Sequence, residues 1–119
     1  MKTLEIAGLR FGEGLPKICI PLTGNGMPDL LHEMQLASAL PADLFEWRAD
    51  HFFGDPLDAL PFLRDGLDGA PVLCTVRTGT EGGQARISPE EYEELLAAML
   101  VRGGFSLIDI EFSCGRERV

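Results

Sequence analysis

Apolar residues recur along this chain with two different periods, and the changes of period mark out its elements. In "TLEIAGLRFG" (3–12) they alternate on either side of Ala7-Gly8, which predicts a short hairpin. "KICIPLT" (17–23) follows a Gly/Pro stretch and reads as a strand. "MPDLLHEMQLASAL" (27–40) has apolar residues at 30, 31, 34, 37 and 40, which is helical spacing, with Pro28 in the first turn. "GNG" (24–26) just before it has no Walker lysine and no G-x-G-x-x-G frame, so it reads as a strand-to-helix turn. "DLFEWRAD" (43–50) is the next strand. "DPLDALPFLRDGLDG" (55–69) predicts a short helix, which accommodates Pro61 only if that residue falls in the first turn. "PVLCTVR" (71–77) is a strand. "SPEEYEELLAAMLVRGG" (88–104) is the clearest helix. Ser88 is the N-cap, Pro89 is the first helical residue, Glu90 and Glu91 face the positive end of the dipole, and Gly103 is the terminator. Its "EEYEELL" run is expected to be a solvated face. "SLIDIEF" (106–112) is the last strand.

Beyond the hairpin, strand and helix alternate strictly. That order means an α/β fold with parallel strands joined by right-handed crossovers. Two architectures fit: an open doubly wound sheet, and a (β/α) barrel. A charged face chooses between them. Side chains alternate along a strand, so Glu46, Arg48 and Asp50 share a face with Leu44, while Phe45, Trp47 and Ala49 take the other. Thr75 and Arg77 oppose Cys74 and Val76, and Asp109 and Glu111 oppose Ile108 and Ile110. Three strands thus each put polar groups on one face near their C-terminal ends. An open sheet covered by helices on both sides has nearly all-apolar strands. A barrel instead gathers such groups at the C-terminal mouth, where its ligand site is built. Grouped there, the charges have each other and a ligand as partners, which lowers a desolvation cost of several kcal/mol per ion. A (β/α)8 barrel takes about 250 residues. In 119 residues this chain predicts four parallel strands and three helices, the content of half a barrel, in a single domain spanning 1–119.

Composition narrows the function. Hydrophobic residues make up 45% and charged residues 24%, a globular balance. The net charge of -9 argues against nucleic acid and anionic membrane surfaces as partners. No apolar run approaches the ~20 residues of a membrane span, and the N-terminal stretch has strand-like alternation and no signal-peptide core, which points to a cytoplasmic protein. Cys19, Cys74 and Cys114 are odd in number and far apart, with no C-x-x-C and no His at zinc-ligand spacing, so reduced structural thiols are expected and no metal.

"PKICIPLTG" (16–24), "LFEWRADHF" (44–52), "PVLCTVRTGTEGG" (71–83), "SPEEYEELL" (88–96) and "LIDIEF" (107–112) together resemble the type I 3-dehydroquinate dehydratases, in the order and spacing of that family's N-terminal half. "EWRxD" followed by "TxRxxxEGG" is the specific pair. The resemblance implies a (β/α)8 barrel, a homo-oligomer (usually a dimer), and dehydration of 3-dehydroquinate to 3-dehydroshikimate in the shikimate pathway. It implies a lysine Schiff base, a histidine general acid/base, and no cofactor. Carried over by motif, Glu46, Arg48 and Arg77 bind substrate hydroxyls, and Glu81 orients the catalytic histidine. Asp50, Asp109 and Glu111 are expected to hold the arginines rather than to act as catalytic acids.

The family's lysine and histidine belong to the second half, at positions beyond Val119. This chain contains only Lys2 and Lys17, and only His32 and His51. None matches a catalytic position, so no residue here is assigned as catalytic. Three functions are consistent with that pattern. The chain is the N-terminal portion of a dehydratase, a non-catalytic binding module, or a half-barrel that pairs with a second chain to rebuild a site. As a half-barrel it is expected to show Cys19, Leu44 and Leu73 to water on its inner face.

Overall fold

In the computed structural model, which describes residues 3–111, the N-terminal alternation folds as a hairpin of β1 (Leu4–Ile6) and β2 (Leu9–Phe11). Its two-residue turn places Ala7 at φ 51° and Gly8 at φ 85°. Two successive left-handed residues give the turn whose twist matches the flanking strands, and glycine bears the second at little cost.

Four further strands form one parallel sheet in the order β3 (Cys19–Leu22), β4 (Leu44–Arg48), β5 (Val72–Thr75), β6 (Leu107–Ile108). The crossovers between them are α1 (Met27–Ala37), α2 (Pro56–Gly66) and α3 (Pro89–Arg102). The expected alternation and parallel pairing are both present. All three helices cover one face. Phe45, Trp47 and Ala49 from β4 and its end, with Val72 and Cys74 from β5, meet Leu30 and Met34 of α1, Leu60 and Leu63 of α2, and Leu96 and Met99 of α3. Burying one such side chain contributes about 1.5–3 kcal/mol. Trp47 is fully buried and meets Phe52 edge-on, with ring centroids 5.8 Å apart. Burial pushes the Cys74 thiol up to about 12, so it stays protonated in the core. Cys19 and Cys74 are free thiols, and Cys114 lies outside the described residues.

Several boundaries differ from the sequence expectation. The strand at 43–50 ends at Arg48, and Ala49–His51 form a single 3-10 turn, so Asp50 is not part of the strand alternation. Helix α1 stops at Ala37, and Leu31 and Leu40 of the expected apolar stripe are exposed, because the stripe that packs is Leu30, Met34 and Ala37. Pro61 lies inside α2 rather than in its first turn. The helix starts earlier because Asp55 caps it, accepting a hydrogen bond from the Leu57 N–H at 3.0 Å, with Pro56 as first residue. An interior proline costs about 3 kcal/mol through a lost hydrogen bond and a clash, which the buried Ala59, Leu60 and Leu63 offset. The last strand is short: β6 spans only Leu107–Ile108, and its ladder extends by the bonds Ser106 N–H to Val72 O and Asp109 N–H to Cys74 O. Phe112 and the residues after it lie outside the described segment.

The helix-free face is not open along its whole length. The segment 11–17 folds over the N-terminal end of the sheet and borders an open hollow of about 600 Å³ that Cys19, Leu44 and Leu73 also line. Leu44, expected at the surface, is therefore buried, while Cys19 remains exposed. What stays uncovered is the C-terminal end, where the charges are.

Candidate functional site

The strand β4 turns Glu46 and Arg48 away from the helices, and the 3-10 turn after it brings the Asp50 side chain back onto Arg48. Asp50 Oδ1 accepts from Arg48 Nε at 2.9 Å and Oδ2 accepts from Arg48 Nη2 at 2.8 Å, a bidentate pair. The Asp50 side chain is 0% exposed and the Arg48 side chain 23%. Asp50 also accepts the backbone N–H groups of Arg77 at 3.2 Å and Gln84 at 3.0 Å. Burial pushes its carboxyl up, but the hydrogen bonds from Arg48, Gln84 and Arg77 outweigh that and hold it below the usual carboxylate range. The Asp50 hydrogen bond raises the Arg48 guanidinium above its ordinary value, partly opposed by burial and, less, by the nearby charge of Arg77. His51 sits at the rim with Nε2 3.9 Å from Asp50 Oδ2.

Across the ladder, Glu46 Oε2 accepts the Thr75 hydroxyl at 2.7 Å. Arg77 follows β5 and reaches toward β6. Its Nη1 donates to Glu111 Oε2 at 3.0 Å and its Nη2 to Asp109. Burial lowers the proton affinity of Arg77, yet the two carboxylates raise it further, so the net shift is upward. Glu111 is the more enclosed of the two, with a side chain 2% exposed. It accepts from the Thr78 hydroxyl at 2.6 Å and the Thr78 N–H at 3.2 Å. The segment carrying it is held from below: the Tyr92 hydroxyl accepts the Glu111 N–H at 2.9 Å.

Of the expected set, Arg48, Asp50, Arg77, Asp109 and Glu111 therefore occupy one connected network, and Glu46, bonded to Thr75, stands apart from it on the same face of β4 as Arg48. Glu81 is separate. It lies exposed on the 3-10 turn Gly79–Glu81, with no side-chain hydrogen bond among the described residues. Lys17 precedes β3 at the opposite end of the sheet, His32 is exposed on α1, and Lys2 lies outside the described residues. Three contributors were missed in the sequence. Thr78 and Gln84 lie within or just after the quoted "TVRTGTEGG" motif but carry no periodic signal. Tyr92 was assigned to a solvated face and is instead 1% exposed. The spacing Tyr92, Leu96, Met99 (i, i+4, i+7) is the stripe that could have placed it inside.

The glycines after Glu81 have a geometric purpose. Gly82 has φ 84°, and a Cβ on Gly83 would lie 2.0 Å from the Arg77 carbonyl oxygen. Gly83 thus lets the loop fold back directly on Arg77. Gly83→Ala is expected to force that contact apart and lower stability by about 1–3 kcal/mol, as overpacking does. A denaturant melt checks this; an unchanged midpoint would mean that the loop does not press on Arg77. Beyond the loop, an open groove of about 610 Å³ runs past Thr78, Thr80 and Arg86 to Ser88 at the start of α3. Neither this groove nor the hollow beside 11–17 is lined by Glu46 or Arg48. Among the described residues no group of three His, Cys, Asp or Glu side chains is placed to hold a metal ion, and no helix is long and apolar enough to cross a membrane.

Comparison with known proteins shows the family. Residues 18–119 match the family model described as type I 3-dehydroquinase. The chain belongs to that family. A 3-dehydroquinate dehydratase of Bacillus licheniformis is 38% identical over 99% of the chain, and one of Listeria monocytogenes is 36% identical over 93%. Among solved structures, the type I 3-dehydroquinate dehydratase of Clostridium difficile with covalently modified comenic acid superposes over 98% of the chain with a TM-score of 0.90 at 31% identity. The enzyme of Geobacillus kaustophilus gives a TM-score of 0.83 at 28% identity. The chain spans about half the length of these relatives, 48% of the Bacillus protein and 48% of the Clostridium chain. Its parallel sheet and three crossovers are thus about half of the type I dehydroquinase barrel.

Proposed function

We propose that this chain supplies the hydroxyl-binding part of a 3-dehydroquinate site. In this reading Glu46, Arg48 and Arg77 hold substrate hydroxyls, while Asp50, Asp109 and Glu111 fix the two guanidiniums. The observation that carries it is the pattern of spent and spare atoms. The Asp50 pair uses Nε and Nη2 of Arg48, and Thr75 uses Oε2 of Glu46. Among the described residues Arg48 Nη1 and Glu46 Oε1 have no hydrogen-bond partner, and both belong to residues on the helix-free face. A salt bridge built only for stability has no need of a donor and an acceptor left over on one face. A polyhydroxylated ring needs both, held on a rigid strand end. Dehydration of 3-dehydroquinate to 3-dehydroshikimate then requires an electron sink, which an imine on a lysine supplies without metal or organic cofactor. That lysine, and the histidine that Glu81 orients, come from polypeptide other than residues 1–119. These residues act as one domain.

The test is a titration of the chain with 3-dehydroquinate followed by NMR of arginine side-chain Nε–H groups. Shifts at Arg48 and Arg77 are expected. No response there at saturating ligand would remove the reading.

A second reading has its own observation. Among the described residues the sheet ends at β3 and β6 with an unpaired side on each, and on the uncovered face four carboxylates stand against two guanidiniums. A half-barrel pairing with a second polypeptide that brings parallel strands and cations would cover both features.

A further inference from the structure

We propose that Asp50 is a positioning residue that clamps both ends of the 77–84 loop to Arg48, so that Arg48, Arg77 and Glu81 are set by one carboxylate. The inference rests on reading the network as a ligand site, but its own evidence is geometric. A carboxylate has two oxygens with about four lone-pair positions. Arg48 takes one position on each oxygen, through Nε at 2.9 Å and Nη2 at 2.8 Å. This fork fixes the carboxylate plane. One position is left on each oxygen, and the two ends of the loop fill them: Arg77 N–H on Oδ1 at 3.2 Å, Gln84 N–H on Oδ2 at 3.0 Å.

The loop between those two amides is short and closed on itself. Glu81 N–H and Gly83 N–H both donate to the Thr78 carbonyl, at 3.0 and 2.8 Å, and Ala85 N–H donates to the Arg77 carbonyl at 3.1 Å. Holding both of its ends therefore fixes the turn that carries Glu81. Rotation of the Arg48 fork would rotate the carboxylate and drag both loop ends with it. Residues that touch ligand (Arg48, Arg77) and the residue placed to orient a proton-transfer group (Glu81) are thereby coupled through a side chain that is 0% exposed and touches neither ligand nor solvent.

An amide cannot do this. In Asp50→Asn one oxygen becomes an NH2 that faces an Arg48 nitrogen and a loop N–H, donor against donor. The fork opens on that side, and one loop end loses its acceptor.

The experiment compares wild-type chain with Asp50→Asn by amide hydrogen exchange. The expected result is at least a tenfold loss of protection at Arg77 or Gln84, together with loss of the hydrogen-bonded Arg48 Nε–H resonance. The Phe45 and Ser106 amides, which bond to Pro71 O and Val72 O and do not touch Asp50, should be unaltered. Unchanged exchange at both Arg77 and Gln84, or an equal loss at Phe45 and Ser106, would overturn the proposal. If Asp50→Asn does not fold, Gln84→Pro removes the donor at the far end, while also fixing φ at that residue, and leaves Asp50 and its Arg48 fork in place. It should then loosen the Glu81 and Gly83 amides while Phe45 and Ser106 hold, and unchanged exchange at Glu81 and Gly83 would overturn the clamp. A parallel 3-dehydroquinate titration separates this proposal from the function on which it rests. Failure of the wild-type chain to bind removes the ligand reading, while the exchange data still decide whether Asp50 is the clamp.

Discussion

Arg77→Ala is expected to lower stability by about 3–5 kcal/mol, the usual cost of stranding a buried charge, and to remove 3-dehydroquinate binding. The reason lies in its partners. Glu111, with a side chain 2% exposed, would keep the Thr78 hydroxyl and N–H but lose its only cation among the described residues. Asp109 would lose its ion pair too. Two like charges would then sit side by side at the end of β6, the shortest strand of the sheet. Arg77→Lys should recover only part of the loss, because an ammonium cannot fork to two carboxylates in one plane. Equilibrium denaturation checks the stability, and ligand titration checks the binding. A change below about 1 kcal/mol, typical of an exposed pair, would show that the network is a solvated surface cluster.

The 119-residue chain, assayed without further polypeptide, is expected to show no dehydratase turnover. Covalent catalysis through an imine is asked to supply a large part of an acceleration that for enzymes is at least ~10⁶-fold. Among the described residues Lys17 is the sole lysine. The register pairs Cys19 with Leu44, so Lys17 lies level with Ala42, six residues before Arg48. At about 3.3 Å per residue that is roughly 20 Å along the strand, far beyond reach of a substrate held by Arg48. The assay follows the enone absorbance of dehydroshikimate with chain in large excess, alongside borohydride trapping. Turnover together with a borohydride-dependent mass increase on Lys17 would overturn this reading.

The order of elements was legible because each strand and helix here follows its own period, and Ser88-Pro89-Glu90-Glu91 announces the start of α3 in the residues themselves. Its capping box is complete, with Glu91 reaching back to the Ser88 N–H at 3.0 Å. The site was legible to the extent that it rides on strand alternation: Glu46 and Arg48 share a face because every second side chain must. Asp50 shows the limit. It reaches the same place by another route, a 3-10 turn whose formation depends on donors from Arg77 and Gln84, about 30 residues away in sequence. Long-range hydrogen bonds of this kind leave no period to read. Pro61 failed for a related reason, since its intrinsic cost was overridden by burial of the apolar residues around it.

Trp47, described above as a core residue, has one more consequence. It is the single tryptophan in the chain, it is fully buried, and it lies between Glu46 and Arg48 on the opposite face of the same strand. Its fluorescence should therefore be blue-shifted, and quenched or red-shifted only when β4 lifts from the helices. A ligand on the far face cannot touch the indole. Any change in emission on adding ligand or a partner chain will thus report movement of the strand itself, which gives the protein a built-in optical gauge of its own site.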